Sequence, residues 1–410
     1  MKKVLVIGGG PAGCMAAIAA SEGGNRVILL EKNEKLGKKL FITGKGRCNL
    51  TNASDMKTVM ENVVSNPKFL YSAFREFSNE DIISFMEEAG CAVKVERGNR
   101  VFPVSDHSSD VIRALEKRLT EAKVTVRLRC EVKKLIIEEG SCSGVLLRSG
   151  ERLSAEEVIV ATGGMSYPST GSTGDGYAWA AASGHEVTER VPSLVPLECA
   201  GKKVCASMMG LSLKNIEASV YDGEKLITRE FGEMLFTHFG VSGPVILSAS
   251  SFASRLLAQG KSLRLCIDLK PALEEKKLDE RLLRDFSENR NKDFRNSLSG
   301  LLPSGIIDEV IRQSGINPFR KVNSITKEER AALIRALKTL TFILTKSRGM
   351  DEAIITQGGI SVKDINPKTM ESKKIQHLRF AGEVLDVDAM TGGFNLQIAW
   401  STGHAAGGSI

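Results

Sequence analysis

The sequence predicts an α/β protein whose first and last segments build one domain around an inserted block of strands and helices. Three observations support this prediction. The chain opens with a short apolar strand, a glycine-rich turn, a small-residue helix and a second strand. The pattern changes near Arg190, where Pro192 and Pro196 precede alternating strands and charged helices. Glycine-rich α/β sequence then returns towards the C-terminal end.

The length and composition are those of a globular protein with more than one domain. The 410 residues favour two or three domains, because single cores stop growing near roughly 250–300 residues. The net charge of +7 comes from 56 basic and 49 acidic residues spread along the chain. Nucleic-acid binding usually needs a concentrated basic stripe, so we expect no nucleic-acid partner.

The eight cysteines form no CxxC pair, which argues against a metal site or a disulfide framework. Reduced thiols in a cytoplasmic protein are the simpler interpretation. Lys2 and Lys3 precede an apolar run, but the glycines from Gly8 onwards interrupt it too early for a signal peptide. No other stretch has the roughly 18 apolar residues of a membrane span, so we expect no membrane association.

Apolar periodicity predicts the elements of the first segment in chain order. Short continuous apolar runs predict buried parallel strands, and alternating runs predict half-exposed strands. The predicted strands are Val4–Ile7, Val27–Leu30, Val124–Arg129, Val132–Ile137, Gly144–Leu147 and Val158–Ala161. The predicted helices are Pro11–Ser21, Asn79–Gly90, Ser109–Ala122 and Gly176–Ser183.

The remaining segments are predicted in the same way, with an antiparallel β unit followed by charged helices. The predicted strands are Leu211–Tyr221, Met234–Thr237, Leu263–Leu269, Phe342–Thr345, Ala353–Thr356 and Leu378–Ala381. The predicted helices are Glu274–Asn289, Gly305–Ser314, Thr326–Leu340 and one from about Leu396. The domain boundaries predicted from this order are 1–190 with 346–410, 191–270 with 326–345, and 271–325.

Gly8-x-Gly10-x-x-Gly13 lies between the first strand and the first helix, and Glu31 ends the second strand. In this context Gly8 permits the tight turn, Gly10 lets the backbone approach a pyrophosphate, and Gly13 permits close helix–strand packing. Glu31 would accept hydrogen bonds from the adenosine ribose. The whole pattern predicts dinucleotide binding on a Rossmann-type fold.

The glycine motif fits NAD as well as FAD, and more distant segments decide between them. Ala161–Gly164 ends one predicted strand, and Gly382 and Glu383 follow another more than 200 residues later. A cofactor as long as FAD needs contacts along its ribityl chain, which Glu383 could supply. The helix after Gly392 and Gly393 would direct its positive end at the flavin pyrimidine edge. We therefore expect FAD.

Several long motifs resemble one bacterial flavoprotein family. They include Thr43–Asn52, Ala161–Gly164, Leu235–Pro244 and the tail from Phe380 to Gly403, and the resemblance covers nearly the whole chain. The family is that of the NAD(P)/FAD-dependent oxidoreductases that includes aminoacetone oxidase and the 3-dehydro-bile acid reductase. The resemblance implies FAD, a Rossmann-type domain, an inserted β-barrel-like domain and a small helical subdomain within it.

The glycine motifs and this resemblance together predict the residues that contact FAD. Lys38 and Lys39 are candidates for the pyrophosphate, and Arg47 and Asn49 for phosphate or the flavin ring. Cys48 has no partner cysteine nearby, so we expect a packing residue beside the cofactor and no disulfide-reductase mechanism. The predicted contacts are Gly8, Gly10, Pro11, Ala12, Gly13, Glu31, Lys32, Lys38, Lys39, Gly44, Arg47, Cys48, Asn49, Thr51, Val132, Ala161, Thr162, Gly163, Gly164, Gly382, Glu383, Gly393, Asn395, Leu396 and Gln397.

The predicted function is FAD-dependent hydride transfer between flavin N5 and a small organic substrate. Reduction of an activated C=C bond, as in an enone or a 3-oxo steroid, is the first expectation, with hydride added to the β-carbon and a proton to the α-carbon. NADH or NADPH would be a transient donor, because a second glycine fingerprint is absent. His238, Tyr167 and Arg348 are weak candidates for catalysis.

Three alternatives stay open. An amine oxidase acting on an aminoacetone-like substrate would use oxygen and release peroxide. A tRNA-modifying flavoenzyme would need a basic surface, although acidic residues are mixed with the basic ones in Lys276–Arg295. A flavin sensor would bind the cofactor without turnover.

Overall fold

A computed structural model describes all 410 residues, and the chain divides into two compact units. Unit 1 combines Met1–Pro192 with Met350–Ile410, and unit 2 is Ser193–Gly349. Each unit has its own cluster of buried apolar side chains. The three-part domain division stays a prediction.

The elements before and within unit 2 follow in chain order. The strands of the first segment are β1 Lys3–Ile7, β2 Arg26–Leu30, β3 Thr51–Asn52, β4 Val93–Glu96, β5 Arg100–Pro103, β6 Thr125–Arg127, β7 Val132–Glu138, β8 Ser141–Leu147, β9 Arg152–Ser154, β10 Glu157–Val160 and β11 Val191–Ser193. Its helices are α1 Pro11–Glu22, α2 Lys38–Ile42, α3 Met56–Glu61, α4 Tyr71–Glu76, α5 Asn79–Glu88, α6 Ser108–Glu121 and α7 Asp175–Ala182. The later strands are β12 Leu197–Cys199, β13 Ser212–Asp222, β14 Lys225–Phe236, β15 Gly240–Ser242, β16 Leu263–Asp268 and β17 Leu340–Ser347. The helices among them are α8 Lys202–Ser207, α9 Pro244–Ala258, α10 Glu275–Glu288, α11 Phe294–Ser297, α12 Ser304–Ser314 and α13 Lys327–Lys338.

The C-terminal segment completes unit 1 with β18 Ile355–Gln357, β19 Leu378–Phe380 and α14 Phe394–Gly408. Its main sheet is parallel, in the order β19-β10-β1-β2-β6. The central strand β1 is buried on both faces, which explains its continuous apolar run. Because parallel strands end at the same edge, β1, β10 and β19 bring Gly8, Ala161 and Ala381 to one edge of the sheet.

Two helices of small residues pack closely beside this sheet. A Cβ at Gly403 would overlap the Ala12 carbonyl oxygen, and one at Gly407 would overlap that of Ala16. Glycine at these two positions therefore lets α14 lie directly against α1. Residues from opposite ends of the chain share one core as a result.

Unit 2 is a closed barrel of six antiparallel strands, in the order β12-β15-β14-β13-β16-β17. The helices of residues 271–325 contribute to the same apolar cluster as the barrel, through Leu278, Phe286, Phe294 and Ile306. The α/β fold class with a Rossmann-type domain and an inserted β-barrel is confirmed.

Two local predictions were wrong, and the long helix α9 was missed. Met234–Thr237 was expected as a short strand, but residues 234–236 are the end of the longer β14, whose exposed polar residues hide the pattern. The helix predicted over Thr326–Leu340 ends at Lys338, and Leu340 begins β17. Helix α9 was not predicted, because its serines interrupt the apolar pattern.

These serines of α9 are nevertheless buried. The Ser250 hydroxyl donates to the Leu247 carbonyl and accepts a hydrogen bond from the Val195 backbone N–H. The local bond satisfies the hydroxyl inside the helix, so a buried face can contain serine.

Candidate functional site

The glycine-rich turn between β1 and α1 has the geometry of a dinucleotide-binding loop. Gly8 has a φ of +108°, and a Cβ there would overlap the Ala161 carbonyl oxygen. A Cβ at Gly13 would in turn overlap the carbonyl oxygen of Gly8. These two glycines are therefore required for the close packing of β1, α1 and the end of β10.

Gly10 differs from both, because a Cβ there would meet nothing within 4 Å. Gly10 is the N-cap of α1, no side chain caps the helix, and Pro11 occupies its first turn. The N–H groups of Ala12 and Gly13 have no partner within the helix. Open space before an uncapped helix N-terminus suits a phosphate group.

Glu31 is buried beside this turn at 7% exposure. Its carboxylate accepts hydrogen bonds from the Gly9 N–H at 2.6 Å and from the backbone and side-chain nitrogens of Asn33, both at 2.7 Å. A carboxylate offers about four acceptor sites, so one remains for a ribose hydroxyl. The Glu31 carbonyl also accepts from the Cys130 N–H, which brings Val132 near this end of the sheet.

The predicted lysines have different surroundings. The Lys32 ammonium lies 2.7 Å from Asp175 and 2.6 Å from the Thr173 hydroxyl. Lys38 is partly exposed, 3.6 Å from the Glu34 carboxylate. Lys39 reaches the C-terminal segment, where its ammonium lies 2.8 Å from Glu383.

Glu383 is held by donors from three separate segments of unit 1. In addition to Lys39, it accepts hydrogen bonds from the Ser166 hydroxyl at 3.1 Å and the Thr356 N–H at 2.8 Å. The neighbouring Gly382 lies so close to α1 that a Cβ there would be 2.7 Å from the Cβ of Ala12. Gly382 therefore lies beside the first turn of α1, next to the glycine-rich turn, as a single extended cofactor requires.

Two buried polar atoms at predicted contact positions have no hydrogen-bond partner. They are Thr162 Oγ1, which precedes Gly163 and Gly164, and Asn49 Oδ1. Leaving such a group unsatisfied costs about 1–3 kcal/mol. A bound molecule with polar groups would satisfy them, so the residues present fit a dinucleotide cofactor.

The loop that contains Gly44 and Asn49 has an unusual backbone, with Gly44, Lys45 and Cys48 all at positive φ. The Arg47 guanidinium binds Glu96 and Asp106 and lies 4.2 Å from the centre of the Phe102 ring. The hydrogen bonds that Arg47 donates to Glu96 and to Asp106 raise the pKa of its guanidinium. These bonds use Nε and Nη2 of the guanidinium, and the predicted role of Arg47 in binding phosphate or the flavin ring stays a prediction.

Cys48 is fully buried, and burial raises the pKa of its thiol to about 12. Because the thiolate is the reactive form, a redox role for Cys48 is disfavoured.

All eight cysteines are buried and unpaired. We predict that a disulfide-exchange reagent such as Ellman's reagent will modify none of them in the native protein and all eight after denaturation. Rapid release of one equivalent from native protein would contradict this prediction, and Cys48→Ala would show whether Cys48 is the source.

The second helix N-terminus of the site belongs to α14. Its N-cap, Gly393, has a φ of +97°, and a Cβ there would overlap the Thr51 carbonyl oxygen. No side chain caps α14. The first backbone N–H groups of the helix are therefore available to an acceptor on a cofactor.

The side chains of two predicted contacts in α14 are used within the protein. Asn395 hydrogen-bonds the backbone of Ala389 and Met390, and Gln397 bonds Thr51, Phe77 and Ser401. Only their backbone atoms remain for FAD, whereas Leu396 is half-buried. Sequence reasoning also missed Ser166 and Thr356, because nothing in their local sequence indicates that they hold Glu383.

The three catalytic candidates fall in both units. Tyr167 of unit 1 has a φ of +50°, and its N–H donates to the Met350 carbonyl. In unit 2, His238 and Arg348 both contact Phe239. The ring centres of His238 and Phe239 lie 5.0 Å apart, and the Arg348 guanidinium lies 4.6 Å from the centre of the Phe239 ring. Glu198 holds Arg348 at 2.8 Å. Their catalytic roles stay predictions.

This protein is a Rossmann-type flavoprotein oxidoreductase. That class is defined by the parallel sheet, the glycine-rich turn and the convergence of both chain ends. The family is shown by comparison: residues 2–409 match the family described as "HI0933-like protein Rossmann domain". The chain belongs to this HI0933-like family.

Two curated relatives match along almost the whole chain. The 3-dehydro-bile acid delta(4,6)-reductase of Clostridium scindens is 32% identical over 410 residues, covering 99% of this chain and 98% of the relative. The ribosomal RNA dihydrouridine synthase of Escherichia coli is 29% identical over 401 residues, covering 98% and 96%. Among solved structures, the 3-ketosteroid delta1-dehydrogenase of Sterolibacterium denitrificans has the same fold. The TM-score is 0.51 and the identity 12%, and the match covers 99% of this chain and 98% of that structure.

None of the helices has both the length and the apolar character needed to span a membrane.

Proposed function

We propose that this protein binds FAD in unit 1 and reduces a C=C bond conjugated to a carbonyl group in a small organic molecule, with NADH or NADPH as donor. The observation that carries this proposal is the 32% identity to a bile acid reductase over almost the full length of both chains. The two uncapped helix N-termini and the unsatisfied Thr162 and Asn49 oxygens support FAD as the cofactor.

The residues of unit 1 divide the binding of FAD among them. The Ala12 and Gly13 N–H groups would bind the pyrophosphate, Glu31 the adenosine ribose and Glu383 a ribityl hydroxyl. The N–H groups of the first turn of α14 would stabilise negative charge at the pyrimidine edge. When bound, FAD supplies the hydride for the substrate from its N5 atom.

A second candidate function follows from the ribosomal RNA dihydrouridine synthase relatives. Dihydrouridine differs from uridine by two hydrogen atoms added across C5=C6, a bond conjugated to the C4 carbonyl. The same hydride chemistry would therefore serve either substrate. The sequence left a tRNA-modifying enzyme as an alternative. These relatives indicate ribosomal RNA as the nucleic-acid substrate to test instead of tRNA.

The charge distribution in unit 2 favours the small molecule. Several basic residues of the helical segment are bound locally by acids, as in the pairs Arg281–Asp285, Arg295–Asp308 and Lys321–Asp293. A surface that binds the RNA backbone needs cations directed at phosphates, in a concentrated patch. Paired cations reduce the positive potential that such a patch would have.

An anaerobic experiment distinguishes the candidates. The flavin is first bleached with NADH or NADPH, and the reduced protein is then mixed with a 3-oxo-4-ene steroid or with a ribosomal RNA transcript that lacks modifications. We expect the steroid to restore the oxidised flavin spectrum with formation of the saturated ketone. Reoxidation by the RNA alone, with dihydrouridine formed, would favour the second candidate.

The oxidase alternative is tested with the same preparation. Reduction of the flavin by aminoacetone, followed by peroxide release in air, would contradict the proposed reductase. Flavin that reacts with no donor would instead indicate a sensor.

A further inference from the structure

Three consecutive residues, Leu50, Thr51 and Asn52, each contact a different part of the C-terminal segment around α14. The Leu50 carbonyl accepts a hydrogen bond from Trp400 Nε1 at 2.9 Å, and the Thr51 hydroxyl donates to Gln397 Oε1 at 2.6 Å. Asn52 Nδ2 donates to the Gly392 carbonyl at 3.0 Å. These bonds join positions 340 to 350 residues apart, so this short segment fixes α14 from its start to its middle.

Asn52 is the member of the three that reaches the turn before the helix. It is 3% exposed, and every polar atom of its side chain is used. Its Nδ2 also donates to the Gly98 carbonyl at 3.1 Å, and its Oδ1 accepts from the Ser54 N–H at 3.0 Å. Two carbonyl partners on one atom and an N–H partner on the other fix the orientation of the amide.

The turn that Asn52 holds determines the direction of the N-terminus of α14. Gly392 has a φ of +132° and Gly393 a φ of +97°. Two consecutive glycines can adopt many other backbone conformations, so contacts from outside the turn are needed to fix this one. The effect of a helix N-terminus on a nearby charge is confined to the first turn. A small rotation of Gly392 and Gly393 would therefore change the electrostatic effect of α14 on whatever lies before it.

We infer that Asn52 is a positioning residue for flavin reduction. By holding the Gly392 carbonyl it keeps the first N–H groups of α14 directed at the pyrimidine edge of the flavin, where negative charge collects on reduction. This stabilises reduced over oxidised flavin and raises the reduction potential of the cofactor. The inference rests on the proposed binding of FAD.

The test is the midpoint potential of the bound flavin in Asn52→Leu, which keeps the branched shape of the side chain and removes its hydrogen bonds. We expect the variant to bind FAD with a potential below that of the wild type. A tenfold loss of preference for reduced flavin corresponds to about 30 mV for a two-electron couple. Reduction by NADH or NADPH should slow accordingly. If Asn52→Leu does not fold, Asn52→Ser serves the same purpose, because the shorter hydroxyl cannot span the distance to Gly392.

Asn25→Leu is the matched control. Asn25 precedes β2, at the end of the sheet away from the glycine-rich turn, and its amide bonds the Ala20 carbonyl and the Lys2 N–H instead of the Gly392 turn. We expect its potential to equal that of the wild type. An unchanged potential in Asn52→Leu, or an equal shift in Asn25→Leu, would overturn the inference while the proposed function stood. A wild-type protein without flavin would overturn both.

Discussion

Replacing Gly10 with glutamate is expected to weaken FAD binding roughly a thousandfold while the protein still folds. A Cβ at Gly10 meets nothing within 4 Å, and its φ of −82° is open to every residue. The new carboxylate would stand before the N-terminus of α1, where we place the pyrophosphate. Two unit charges about 4 Å apart near a protein surface repel by about 4 kcal/mol, which weakens binding roughly a thousandfold.

The measurement is titration of the flavin-free protein with FAD, followed by flavin fluorescence, together with the thermal unfolding of the flavin-free form. Gly300→Glu is the matched control, because Gly300 is also open, lacks a positive φ and lies in unit 2. It should bind FAD as the wild type does. Normal affinity in Gly10→Glu would place the pyrophosphate elsewhere.

Replacing Glu157 with glutamine is expected to lower the free energy of unfolding by about 3–5 kcal/mol. Glu157 is 2% exposed at the start of β10, opposite the cofactor edge of the sheet, and Arg379 on β19 is 4% exposed. Arg379 Nε lies 3.4 Å from Glu157 Oε2, close enough for an ion pair although without hydrogen-bond geometry. Removing one partner of a buried pair costs about 3–5 kcal/mol, because the other charge stays buried.

Denaturant unfolding of the flavin-free protein measures this loss. Glu138→Gln is the control, since the Glu138–Arg152 pair is exposed and such pairs contribute about 0–1 kcal/mol. The double variant Glu157→Gln with Arg379→Met should recover much of the stability, because no buried charge is left unpaired. An effect of Glu157→Gln no larger than that of Glu138→Gln would show that the buried pair contributes little.

The same carboxylate makes a pH-dependent contribution. Burial alone would raise the pKa of Glu157, but the hydrogen bond from Lys2, the charge of Arg379 and the contact with His377 lower it overall. A lowered pKa in the folded state means that the stabilisation is complete above the unfolded value of about 4.3 and is lost as the pH falls through the folded value. The stability difference between wild type and Glu157→Gln should therefore shrink in acid below this pH.

The sequence predicted the parts of the site that depend on backbone geometry. The glycine pattern of Gly8, Gly10 and Gly13 requires a tight turn and close packing, and these requirements can be recognised locally. The continuous apolar run of β1 likewise indicated a strand buried on both faces.

Side-chain networks between distant segments were beyond such reasoning. Lys39, Ser166 and Thr356 converge on Glu383 only because the fold brings the chain ends together. Gln397 stays a predicted cofactor contact through its backbone, and the bonds from its amide to Thr51 and Phe77 could not be foreseen from the sequence. Helix α9 was missed because the sequence does not distinguish its serines, which are buried and hydrogen-bonded within the helix, from exposed serines.

The central claim is that both ends of this chain bind one FAD molecule in unit 1. The most direct measurement is a crystal structure of the protein loaded with FAD. The account predicts one FAD per chain, with its pyrophosphate at the N–H groups of Ala12 and Gly13 and its isoalloxazine ring at the N-terminus of α14. A folded protein that takes up no FAD, or an FAD molecule bound away from these two helix ends, would contradict it.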